Sequence, residues 1–212
     1  MLERPAISPR AHDYLATLTR LPAPRDRERI EAAFHAASVP VLEPIVVFQM
    51  AFGGYVEWYG RNRFEWGILF DQPDPDSFFE PNRLDIDVVD GEYWVTCANC
   101  HGSDHWSLDG RGRLYWCGFP KAASFAVKVE RDALDWELAK TGGGRKVVTT
   151  ADRSDLLAAL IPRIAEGQIV EACDEHEAVY LHHGLLVIVT DDRIQLYLLD
   201  DSGNDVLAGI PL

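Results

Sequence analysis

Basic residues are the scarce class in this chain: 20 lysines and arginines stand against 34 aspartates and glutamates, a formal net charge of -14. So negative a surface repels nucleic acid and anionic membranes, and a partner selected by charge must itself be basic. Long apolar runs are missing as well. One such run, Leu185 to Thr190, has strand length and falls far short of the roughly 20 residues of a membrane span. The opening residues, MLERPAISPRAHDYL, mix charge with proline and hold no apolar stretch of the kind that directs secretion. Without a sign of export, the four cysteines, Cys97, Cys100, Cys117 and Cys173, are expected to be reduced thiols in a cytoplasmic protein. There is no G-x-S-x-G elbow, no phosphate-binding glycine loop and no H-E-x-x-H helix. Internal repeats and low-complexity tracts are also lacking.

What is present suits a globular fold. Hydrophobic residues make up 47% of 212, enough for one generous domain or a domain with a smaller companion. Arg25 to Ala37 spaces Ile30, Ala33, Phe34 and Ala37 at helical intervals. Pro44 suits the first turn of a second helix, Ile45 to Ala51, which Gly53-Gly54 ends. Aromatic-rich strands are expected at Tyr55 to Tyr59, Glu65 to Phe70, Tyr93 to Cys97, His105 to Leu108 and Leu114 to Cys117. The last two should pair across Asp109-Gly110-Arg111-Gly112. DQPDPDSFFEPN reads as a surface loop and Ala122 to Lys140 as a long helix. Past the linker-like Gly142-Gly143-Gly144 come a strand (Lys146 to Thr149) and a helix (Asp152 to Ala165) that Pro162 kinks or ends. Strands at Ile169 to Ala172, Ala178 to Leu181, Leu185 to Thr190 and Ile194 to Leu199 follow, with tight turns at His182-His183-Gly184 and Asp191-Asp192-Arg193. The expected fold is α+β: a mixed or antiparallel aromatic-rich sheet packed against helices over residues 1–141. A small βαββββ extension follows over residues 145–212, packed on the first or extending it.

Charge is unevenly placed. Between Asp71 and Glu92 the chain holds Asp71, Asp74, Asp76, Glu80, Asp85, Asp87, Asp90 and Glu92 against Arg83 alone. Such a run is either a solvated face or a docking surface for a basic partner. In the second case Phe78, Phe79 and Tyr93 are the aromatic anchors at hand, because anchors ringed by charge are the usual anatomy of a tight interface.

The cysteines offer a second pattern. Cys97 to His101 reads CANCH, the spacing of covalent haem attachment, but in a chain without an export signal. A structural zinc held by Cys97, Cys100, Cys117 and His105 (or His101) is the better metal reading, with the hairpin bringing Cys117 back. A second paired C-x-x-C is missing, and small thiols packed in a strand explain the same residues. Asp174 to Glu177 and His182-His183 read as polar turns. Trp58, Trp66, Trp94, Trp106 and Trp116 fall at strand positions, where they are expected to pack a sheet face onto helices.

Taken in order, RIEAAF, FQMAFGG, FEWGILF, HWSLDGRGRLYW and AASFAVKVERDALDWEL resemble the SUKH superfamily, a group of bacterial immunity proteins that also includes a fungal glucan-synthesis regulator. The matching positions are Phe52, Gly53, Gly54, Leu108, Asp109, Gly112, Leu114, Tyr115, Ser124 and Phe125, within roughly residues 25 to 140. The family's usual leucine-glycine-x-x-leucine-proline run is reduced here to ASVPVLEP, and neither CANCH nor the part beyond Gly144 belongs to the common pattern. The resemblance implies binding without catalysis: an immunity protein that occludes a cognate toxin domain, basic and in many cases nucleic-acid-modifying. No cofactor is implied. Two other readings stand beside it. One is a regulatory or scaffold protein of the same fold; the other is a small zinc-dependent enzyme using Cys97 to Cys117, with His105 or Asp104 as base.

Overall fold

The structure, a computed structural model, describes residues 5–59, 62–73, 79–100, 105–140, 142, 145–150, 154–175, 177–190, 193–208 and 210. The chain is mixed α+β, with a large antiparallel sheet and, among the described residues, six α-helices. It divides into two compact units, Met1–Ile7 with His12–Ala126 and Ser8–Ala11 with Val127–Leu212.

The first unit contains most of α1 (Pro9–Thr17), then β1 (Thr19–Arg20), α2 (Arg27–Ala36), α3 (Glu43–Phe52), β2 (Tyr55–Tyr59) and β3 (Asn62–Trp66). It continues with β4 (Ile86–Val89), β5 (Glu92–Cys100), β6 (His105–Asp109), β7 (Leu114–Trp116) and β8 (Phe119–Ala122). These strands form one antiparallel sheet in the order β1-β2-β3-β5-β6-β7-β8, with β4 beside the first half of β5. Helix α2 starts where Asp26 accepts a hydrogen bond from the Arg29 amide, at 2.9 Å, which satisfies one of the donors a helix start leaves open. Helix α3 opens with Pro44, as expected. Its end is capped from outside: the Arg20 guanidinium donates to the carbonyls of Ala51 (2.9 Å) and Gly53 (3.0 Å), placing a cation at the negative end of the helix.

Gln49 joins this helix to the sheet. It is fully buried, and its Nε2 donates to the Pro24 and Leu69 carbonyls at 2.8 and 2.9 Å while its Oε1 accepts from the Ile68 amide at 2.8 Å. The expected strand from Glu65 to Phe70 therefore stops at Trp66: Gly67 turns the chain at φ +148°, and Ile68 to Phe70 run buried with Gln49 as their backbone partner. Above the sheet, the Phe125 ring packs against Phe48, Phe52 and Trp66 at centroid distances of 4.6, 5.4 and 5.0 Å. Such pairs contribute about 1 kcal/mol each beyond area burial. Glu57 is buried among them but satisfied, accepting from Tyr14 Oη (2.8 Å) and Trp66 Nε1 (3.2 Å). The tryptophans divide differently from the expectation. Trp66 is buried, whereas Trp58 is 63% and Trp116 37% exposed, because outer positions of this sheet face solvent.

The β6–β7 hairpin forms as expected, pairing Trp106 with Trp116 and Leu108 with Leu114. Its turn is built around Asp109, whose buried carboxylate accepts from the amides of Arg111 and Arg113 (both 2.9 Å), Arg113 Nε (2.6 Å) and Tyr115 Oη (3.3 Å). Burial beside that carboxylate raises the Tyr115 hydroxyl above its ordinary pKa. Gly112 in the same turn has φ +82°, and a Cβ there would lie 2.7 Å from Pro44 Cβ, so both conformation and space call for glycine. Asp109→Ala should cost about 2 kcal/mol, since hydrogen bonds to a charged group are worth roughly 1.5–3 kcal/mol and water replaces some of them. Urea unfolding measures it. A cost under about 0.5 kcal/mol, the range of ordinary surface substitutions, would mean the turn does not depend on this carboxylate.

The second unit holds most of α4 (Phe125–Lys140), then β9 (Arg145–Thr150), α5 (Ser154–Ile164), β10 (Glu177–His182), β11 (Leu185–Thr190), β12 (Ile194–Leu198) and α6 (Gly203–Leu207). Its antiparallel sheet runs β10-β11-β12-β9. Period-two alternation sends Leu185, Val187, Ile194, Leu196 and Leu198 to one face, against Leu156, Leu160 and Ile164 of α5 and Leu207 of α6. Val179 and Leu186 face the other side, with Leu134 of α4 and Ala172. Pro162 lies in the last turn of α5, which ends two residues later. The expected strand Ile169 to Ala172 is instead a short 3-10 turn at Val170–Ala172. The apolar pair Ile169 and Ala172 is three residues apart, a spacing that puts both on one side of such a turn rather than on opposite faces of a strand. The extension is thus βαβββ with a final short helix, one strand fewer than expected.

Candidate functional site

The chain enters β4 through the buried Leu84. Val89 and Glu92 pair across Asp90-Gly91, whose φ values of +52° and +82° make a two-residue turn of the type that suits the twist of a hairpin. The segment from Leu84 to Val89 reads LDIDVV, and period two sorts it. Leu84, Ile86 and Val88 line one side, graded from buried through half-buried to 64% exposed at Val88. They form one wall of a groove of about 810 Å3, and Ala33, Ala36, Ala37 and Val39 at the end of α2 form the other. Alanines on that helix keep the groove open, since each stops at Cβ. Asp85 and Asp87 alternate with the apolar positions, and both are exposed, as is Asp90 at the turn. Among the described residues none of these three aspartates has an ion pair.

The remaining acidic positions are partly spent on local structure. Asp71 accepts from Arg29 at 2.5 Å, Glu80 from Arg83 at 2.6 Å, and Glu92 lies 3.7 and 3.9 Å from Arg111 and Arg113. Asp74, Asp76 and Phe78 lie outside the described residues. Phe79, expected as an exposed anchor, is buried at 5% and packs on Phe70 with ring centroids 4.8 Å apart; it pins the loop to the core and is not on offer to a partner. Tyr93 is half-buried on β5 opposite Val88. The structure therefore brings Asp85, Asp87 and Asp90 together on one hairpin, with Glu80 at the groove margin.

The cysteine set is dispersed. Cys97 is fully buried at a β-bulge, where Thr96 pairs with Ser107 and Ala98 with Trp106. Cys117, expected in a strand, is the first residue of a two-residue turn between β7 and β8, at φ +48° and followed by Gly118 at +83°. It is exposed, its amide donating to the exposed His105 through the carbonyl at 3.1 Å. The Cys100 side chain, and His101 and Asp104, lie outside the described residues. Among the described residues no three histidine, cysteine or acidic side chains converge where they could hold a metal ion, so Cys97, His105 and Cys117 do not form a three-ligand set.

Neither β4 nor the groove it walls was among the expected elements, which had 71–82 as a surface loop within an acidic run from Asp71 to Glu92, a solvated face or a docking surface. The signal was present: alternation over Leu84 to Val88, closed by Asp90-Gly91, is a strong short-range hairpin pattern. In the first unit Phe52 contacts Phe125, and Asp109 contacts Tyr115. Comparison with family models, with curated proteins and with solved structures gives no match. No helix among the described residues is long and apolar enough to cross a membrane.

Proposed function

We propose that this chain is an immunity protein of the SUKH type, which works by binding a basic toxin domain and covering its active surface. The observation that carries the reading is the β4–β5 hairpin. It sets Asp85, Asp87 and Asp90 in solvent without an ion pair among the described residues, beside an open groove that mixes apolar side chains with Glu80, Asn82 and Arg83. Exposed like charges held on one hairpin cost the fold a little self-repulsion, and they become favourable when a cationic surface arrives. The groove supplies what charge alone does not, apolar area to bury at the centre of a contact. Carboxylates so placed can occupy the positions of substrate phosphates on a nucleic-acid-modifying toxin. The turn and packing positions that resemble the SUKH pattern, notably Gly112 against Pro44 and Phe125 against Phe48 and Phe52, support the same assignment. The test is co-expression with the product of the adjacent gene. The proposal expects a stable complex that survives gel filtration and a toxic phenotype when the present chain is withheld. An adjacent product that is harmless and does not bind would overturn it.

A further inference from the structure

The β4 strand has one edge against β5 and no strand on its other edge among the described residues. Which backbone groups that open edge presents follows from the ladder. The Thr96 amide donates to the Asp85 carbonyl at 3.0 Å, and Val89 pairs with Glu92 directly at the turn. In an antiparallel pair alternate residues bond to the neighbour, so Asp85, Asp87 and Val89 are turned to β5. The N–H and C=O of Ile86 and Val88 point the other way, four groups ready for another chain. No proline or bulge blocks this edge; its guards are its four-residue length and the Asp85 and Asp87 charges, which deter another acidic strand but not a basic one.

We infer that the open edge of β4 receives an extended basic segment of the partner as an added strand. The inference deepens the reading above and rests on it. Side-chain chemistry selects the occupant. On one face of the strand Leu84, Ile86 and Val88 look across the groove to the alanines of α2, so the incoming segment needs apolar residues on that side. On the other face Asp85 and Asp87 meet its alternate side chains, which should be lysine or arginine. A second copy of this chain fits badly, because edge-to-edge pairing would set aspartates opposite aspartates, and like charges directly opposite are destabilising. Main-chain bonds thus supply the attachment and the acidic alternation the choice, as in other strand-addition complexes.

A capped synthetic octapeptide alternating valine and lysine is the probe, added to the full-length 15N-labelled protein and followed by amide hydrogen exchange. Saturating peptide should slow exchange at Ile86 and Val88 at least tenfold, and a peptide with glutamate in place of lysine should not. Val88→Pro removes an outward N–H and no β4–β5 bond, so it should weaken peptide binding at least tenfold. Val88→Thr keeps the N–H and should bind within about threefold of the parent. Absence of binding, equal binding of the glutamate peptide, or binding with Ile86 and Val88 exchanging as in the free protein would each overturn the inference. Concentration-dependent protection of these amides without peptide would do so too, by giving the edge to a second copy. The failures separate cleanly: a complex with the adjacent gene product that leaves both amides unprotected removes strand addition alone, while no complex at all removes the immunity reading.

Discussion

Asp85→Lys combined with Asp87→Lys should weaken the complex proposed with a basic partner at least 100-fold and leave the melting midpoint within about two degrees of the parent. A hundredfold is roughly 2.7 kcal/mol. Two reversals reach it because each removes an attraction and adds a repulsion at the same spot, in an interface where water is largely excluded. Stability should hardly move. Both side chains are exposed and make no ion pair among the described residues, and surface substitutions of that kind stay within about 0.5 kcal/mol. Asp90 is left alone deliberately: at φ +52° it occupies a region that aspartate tolerates better than lysine. Calorimetric titration and a thermal melt on the same preparation decide the matter. Unchanged affinity would remove the hairpin from the interface, and a collapse in melting temperature would make the binding loss uninformative about charge and contradict the placement of both residues in solvent.

Gln49→Leu should be the costliest single change in the fold, about 4 kcal/mol. The substitution keeps the volume but strands two buried carbonyls, Pro24 and Leu69, and one buried amide, Ile68. Each unsatisfied buried group costs roughly 1–3 kcal/mol. Urea unfolding should show a lower midpoint at unchanged slope. Because Gln49 also positions the chain leading from β3 toward the acidic hairpin, exchange of the Ile68 amide should accelerate in the same variant. A loss under about 1 kcal/mol would mean that water replaces the side chain and that α3 is not tied to the sheet in this way.

Much of the fold was legible because its signals are local. Pro44 and Gly53-Gly54 bracket α3, Asp109 to Gly112 closes a hairpin, and His183-Gly184 turns β10 into β11 with φ values of +42° and +68°. Each of these rests on what a proline or a glycine does to its own backbone. Harder to read were features set by distant partners. Trp58 and Trp66 sit in neighbouring, paired strands, yet one lies in solvent and the other in the core; the difference is which face α3 and Phe125 cover, and no window of sequence contains it. Phe79 is similar: an aromatic in an acidic loop looks like an anchor for a partner until Phe70 is placed beneath it. At the candidate site the charge was visible and the architecture was not. Proline and aspartate density from Asp71 to Pro81 drew the whole region toward a loop, which hid the alternation of Leu84, Ile86 and Val88. The alanines across the groove carry no signal by themselves, since Ala33, Ala36 and Ala37 equally suit a helix face packed on nothing.

The attraction between the acidic hairpin and a cationic protein is most directly tested by a salt titration of the complex with the adjacent gene product. Surface charges are screened beyond about 10 Å at 0.1 M salt and about 3 Å at 1 M. The Kd should therefore rise at least tenfold between 50 and 500 mM sodium chloride, mainly through a slower association rate. A Kd and association rate that do not change over that range would contradict the role assigned to Asp85, Asp87 and Asp90.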